Sequence, residues 1–129
     1  MSEYLEPKVP QVSADDLKKS LDEKDNVVTL DVRTEGEYSR GKIEGSINIP
    51  LDYIPEKVEK SIPDKDSKIF VYCLSGSRSV YAVDEMIKMG YKNVFNLSNG
   101  LLVWRAMNFP LVSWAKKNTG SLNLCHVYK

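Results

Sequence analysis

The stretch Ile69-Phe70-Val71-Tyr72-Cys73-Leu74-Ser75-Gly76-Ser77-Arg78 decides the fold. Its first four residues form a short apolar run that reads as a strand buried on both faces of a sheet. From Ser77 to Met89 the pattern turns helical. Val80, Val83 and Ile87 share one side, Ala82, Met86 and Met89 lie beside them, and Gly90 supplies a stop. A strand that passes through a few loop residues into a helix is the repeating unit of an open α/β sheet. The Cys73 loop then sits beyond a strand's carboxyl end, where such sheets bind ligands.

The same alternation continues outward. Ser13-Ala14-Asp15-Asp16-Leu17 reads as an N-cap with acids in the first turn, and Leu17 and Leu21 face inward. Val27-Val28-Thr29-Leu30 is a strand ending at Asp31-Val32-Arg33, after which Thr34 caps a short helix that stops by Gly41. Ser46 to Ile49 is expected as a short strand, and Glu56 to Ser61 as a brief helix closed by Pro63. Val94 to Leu97 is the last strand and Gly100 to Met107 the last helix. The fold class is α/β, an open and mostly parallel sheet of about five strands with helices on both faces.

The chain has 129 residues, one domain's worth, enough to bury roughly two thirds of its unfolded surface. Its 18 basic residues balance 18 acidic ones, and no basic stripe interleaved with aromatics is present, which argues against nucleic-acid binding. Beyond Glu85 every charge is positive, through Lys88, Lys92, Arg105, Lys116, Lys117 and Lys129. This reads as solvated surface, with a field that steers small anions as the sharper alternative. Only Cys73 and Cys125 occur, too few and too far apart for a disulfide scaffold or a zinc site. The segment Met1 to Leu21 has no apolar core flanked by basic residues, so no membrane partner and a reducing cytoplasm are expected.

Cys73 is the candidate nucleophile. The amides of its loop lead into a helix N-terminus, and such amides together with the helix dipole favour an anion there. They favour the thiolate, which is the reactive form of cysteine. Gly76 permits a tight backbone path, and Arg78 in the first helical turn reads as an anion contact, with pairing to a surface carboxylate as the blander alternative. Asp31 and Arg33, at a neighbouring strand's carboxyl end, read as a supporting ion pair that braces two loops.

Four motifs now carry a resemblance. They are Asp31-Val32-Arg33 with Glu37-Tyr38, Gly41 to Pro50, Tyr72 to Ser79, and Asn96-Leu97-Ser98-Asn99-Gly100 with Trp104. In this order they resemble the single-domain rhodaneses, or thiosulfate sulfurtransferases, over about residues 9–104. The resemblance implies that Cys73 attacks the outer sulfur of thiosulfate, expels sulfite and holds the sulfur as a persulfide for cyanide or a thiol to remove. It implies that the amides of Leu74, Ser75, Gly76, Ser77 and Arg78 cradle the anion, and that no cofactor or metal is required. Two positions depart from it: Leu74 stands where many thiosulfate-using members carry a basic residue, and Lys42 where many carry histidine.

Residues 109–129 form a C-terminal extension of the single domain and match no motif. Within it Cys125 reads as a tail cysteine, or alternatively as a resolving thiol for Cys73. His126, the only histidine, makes a poor metal site beside one cysteine. Trp104 is expected in the core, and Trp114 and Tyr128 against the domain. Two other functions compete. A related cysteine phosphatase or arsenate reductase is the nearest rival, disfavoured because its members on this fold have a longer loop than the four residues between Cys73 and Arg78. A sulfur-relay or binding module, fed by a protein persulfide, would suit the uncharged Leu74.

Overall fold

The computed structural model describes residues 6–113, and the backbone of Trp114 and of 125–128. Five strands form one sheet: β1 (Gln11–Val12), β2 (Val27–Asp31), β3 (Ile47–Asn48), β4 (Lys68–Tyr72) and β5 (Asn93–Leu97). Their order is β1-β5-β4-β2-β3, and every pairing is parallel. Five helices connect or follow them: α1 (Ala14–Asp22), α2 (Glu35–Arg40), α3 (Ile54–Ser61), α4 (Ser77–Lys88) and α5 (Gly100–Ala106). The central strands β2 and β4 are flanked on both sides by other strands, so their carboxyl ends, and the loops after them, lie side by side.

Helices cover both faces because β4 is apolar on both. Ile69 and Val71 pack with Val58, Ala82, Val83 and Met86 of α3 and α4. Phe70 and Tyr72 pack with Leu17, Leu101 and Trp104 of α1 and α5. Alternation along the strand does this, since successive side chains point to opposite faces. Cys73, next in line, falls on the α3–α4 side.

The caps read from the sequence are present. Ser13 accepts the Asp16 N–H, and Thr34 forms a capping box with Glu37. Differences are local. The strand expected over Ser46–Ile49 contracts to β3, closed by Pro50, which has no N–H to donate, and the Asn48 side chain donates to the main-chain carbonyls of Asp31 and Arg33. The helix expected from Glu56 begins at Ile54, after a 3-10 turn over Leu51–Tyr53. Ile87 is 41% exposed, since α4 turns Ser79, Ala82, Val83 and Met86 inward and leaves Ile87 at the rim.

Residues beyond α5 fold back. Strand β6 (Leu111–Trp114) pairs antiparallel with β7 (Cys125–Tyr128), which places Cys125 opposite Trp114 and His126 opposite Ser113. Lys42 and Val112 exchange main-chain hydrogen bonds of 2.9 and 2.8 Å, and Leu111 and Val112 are buried. The extension is thus zipped to the loop after α2. The side chains of Trp114, Cys125, His126 and Tyr128, and residues Lys116, Lys117 and Lys129, lie outside the described residues.

Candidate functional site

Cys73 is fully buried, and its sulfur is met by main-chain donors. The Gly76 N–H points at Sγ over 3.1 Å, and the Ser79 N–H over 3.4 Å. Gly76 caps α4 with φ +96, a left-handed conformation that an L side chain rarely adopts. The loop is held from behind as well. Leu101 and Leu102, whose N–H groups at the start of α5 have no partner inside the helix, donate to the carbonyls of Cys73 and Leu74, each over 3.0 Å. A Cβ on Gly100 would lie 2.4 Å from the Cys73 carbonyl oxygen and 2.6 Å from that of Leu74. Only glycine lets α5 come this close.

A hydrogen-bonded chain runs away from the sulfur. Ser79 Oγ lies 3.4 Å from Sγ and donates to Asn96 Oδ1. Asn96 donates in turn to Gln11 Oε1 over 3.0 Å, and Ser98 Oγ donates to the same oxygen over 2.9 Å. These residues reach a polar depression of about 390 Å³ beside the loop, lined also by Ser75, Ser77 and Asn99. Ser79 and Asn96 are buried, so Ser79→Ala strands the Asn96 oxygen without its donor. A loss of about 1–3 kcal/mol is expected, read as a lower denaturation midpoint. An unchanged midpoint would mean that the oxygen finds another partner.

Asp31 and Arg33 form a buried pair at the end of β2, 0% and 4% exposed. Arg33 Nε and Nη2 contact the carboxylate at 2.7–3.1 Å, and Nη2 also donates to the Gly41 carbonyl at 2.6 Å. Burial opposes the Arg33 charge, but the Asp31 hydrogen bond and its negative charge outweigh it and raise the Arg33 pKa. The pair therefore braces β2 against the loop after α2. Beside it the Tyr72 hydroxyl, whose pKa burial pushes up, accepts the Ile43 N–H and bonds Ser46 Oγ.

Arg78 stands in the first turn of α4, one residue before Ser79. Its Nη1 and Nη2 take both oxygens of Glu37 in α2, over 2.9 and 3.1 Å. The hydrogen bond from Arg78 holds the Glu37 carboxyl down to about 2, although partial burial works the other way. The sequence favours an anion contact for Arg78 over a carboxylate; in the structure its guanidinium is taken by the carboxylate of Glu37.

The predicted residues converge, with differing contacts. Cys73, Gly76 and Arg78 share one corner, and Asp31 and Arg33 close the next strand end. Leu74 is half-buried and packs towards α1 and α5, on the face opposite Cys73. The hydroxyls of Ser75 and Ser77 are exposed and bond each other at 3.1 Å. Lys88 and Lys92 lie at the far end of α4 from Cys73 and pair with Asp84 and Asp66. Among the described residues, no three His, Cys, Asp or Glu side chains gather as a metal site. Nor is any described helix long and apolar enough to cross a membrane. Sequence reading passed over the roles of Glu37, Ser79, Asn96 and Gln11. Glu37, Ser79 and Asn96 stood within the quoted motifs without a role, and Glu37 left a further trace as the third residue after the capping Thr34.

Comparison with known proteins agrees with this geometry. The model of the rhodanese-like domain matches residues 13–107. A sulfurtransferase of Allochromatium vinosum is 31% identical over 105 residues, covering 81% of this chain and 96% of that protein. A thiosulfate sulfurtransferase of Escherichia coli is 37% identical over 67 residues, covering 52% of this chain and 64% of that protein. The crystal structure of a rhodanese-related protein from Thermoplasma volcanium superposes with a TM-score of 0.71 at 32% identity, over 81% of this chain and 98% of that one. A parallel sheet in this order, a cysteine loop entering α4 and a match across most of the chain together mean that the protein belongs to the rhodanese-like domain family.

Proposed function

We propose that the protein is a sulfurtransferase that carries sulfane sulfur as a persulfide on Cys73. The observation that carries this reading is the pair of main-chain N–H groups, from Gly76 and Ser79, aimed at Sγ. They stabilise a sulfur anion before attack and again when it leaves. Cys73 attacks the outer sulfur of thiosulfate, the S–S bond breaks, and sulfite departs with the bonding electrons. A thiol or cyanide then attacks the bound sulfur, breaks the new S–S bond and returns the Cys73 thiolate. No redox partner is needed, because each step exchanges one nucleophile for another at sulfur.

Cys73 has no exposed surface, so a donor reaches Sγ only when its side chain or its surroundings shift. The partners on this reading are a small anionic sulfur donor and a thiol or cyanide acceptor, with a protein persulfide as a further donor. Relatives named sulfurtransferases support sulfur transfer in general. The test is the intact mass after brief exposure to thiosulfate. One added sulfur that cyanide discharges is the expected result. Failure to gain sulfur from thiosulfate and from a protein persulfide alike would overturn the reading.

A further inference from the structure

The geometry points to Glu37 as a specificity-determining residue that cancels the charge of Arg78 and so biases the site against doubly charged sulfur donors. This inference rests on the sulfur-carrier reading of Cys73.

Three observations carry it. Arg78 is the only cationic side chain in the stretch 73–79, and Leu74 adds none, so any side-chain attraction for an anion at this loop begins with that guanidinium. Both of its terminal nitrogens are occupied by the two oxygens of Glu37. Glu37 is in turn fixed from the other side, since one carboxylate oxygen accepts the Thr34 N–H at 3.0 Å and the Thr34 hydroxyl at 3.1 Å. The carboxylate thus does not wander off when an anion arrives. It must be displaced or must share the guanidinium, and in either case its negative charge stays near the loop.

The consequence differs between donors. Thiosulfate carries two negative charges, whereas an alkyl persulfide carries at most one. Repulsion from a fixed carboxylate falls more heavily on the first, while the amides of Gly76 and Ser79 serve the transferred sulfur equally well in both. The Arg78 and Glu37 side chains are 37% and 27% exposed, so solvent screens the pair and the bias is modest.

The experiment measures sulfur loading of the full chain from thiosulfate and from the persulfide of 2-mercaptoethanol, in wild type and in Glu37→Gln. Glutamine keeps an acceptor for the Thr34 N–H and so keeps the cap. The expected result is an about two- to fivefold fall in the KM for thiosulfate, with little change in kcat and a raised preference for thiosulfate over the persulfide. The thiosulfate kcat/KM of the variant should also fall more steeply with salt than that of wild type. Thr34→Val weakens the same cap but leaves the carboxylate, and should keep the wild-type preference. An equal shift in Thr34→Val would make the effect one of helix structure and overturn the inference. If both donors load wild type and Glu37→Gln with unchanged preference, the inference fails and the carrier reading stands. If neither donor loads wild type, the inference fails, and loading from a protein persulfide then decides the carrier reading.

Discussion

Cys73→Ser is expected to fold and to take up no sulfur. The serine hydroxyl is close in size to the thiol and can accept the same N–H groups from Gly76 and Ser79, so the loop keeps its hydrogen bonds. On the sulfur-carrier reading what it loses is the nucleophile, because an alcohol oxygen attacks sulfur far more weakly than a sulfur nucleophile and forms no persulfide. Loss of a sole nucleophile costs about a thousandfold or more in turnover. The measurement pairs intact mass with a denaturation midpoint on the same sample. A folded variant that still gains one sulfur would move the carrier role away from Cys73.

Asp31→Asn is expected to give the largest loss of stability. The substitution leaves the Arg33 guanidinium buried with the Gly41 carbonyl and no counter-charge. An amide group in place of the carboxylate also turns a donor towards other donors. Breaking one side of a buried ion pair costs about 3–5 kcal/mol, a large share of a small domain's stability. Because neutralising both residues removes the stranded charge, Asp31→Leu with Arg33→Met should recover part of that loss. Urea unfolding of the three variants decides it. A single variant within about 1 kcal/mol of wild type would mean that water reaches Arg33.

These two residues also show what a sequence yields and where it stops. Cys73 was legible because everything that defines its setting lies within about ten residues of chain, the strand before it, the glycine and the helical stripe after it. Asp31 and Arg33 were legible for the same reason, being two residues apart at a strand end. The caps at Ser13 and Thr34, and strands β2, β4 and β5, follow from local pattern in the same way. Glu37 and Arg78 are separated by 41 positions, and Gln11 and Asn96 by 85, so no local periodicity links them. Strand β1, two residues long, has no run of apolar residues to announce it; its place follows from pairing with β5. Strand β6 was missed because its partners are β7, more than ten residues on, and Lys42, far back in the chain. Ile87 shows a further limit. The stripe on α4 was right in kind, but its centre is set by the sheet beneath, which no helix can read from its own residues.

The alternation along β4 has a consequence for how such a site can change over generations. Ile69, Val71 and Cys73 share one face, and Phe70 and Tyr72 the other. Insertion or deletion of a single residue in this strand would exchange the faces, setting a phenol where the thiol belongs and sending the thiol among the aromatics near Trp104. Substitution at the exposed Ser75 and Ser77 leaves this alternation intact, whereas a change in the length of the strand does not. The rim can vary in what it presents, while the length of β4 sets the face on which Cys73 lies.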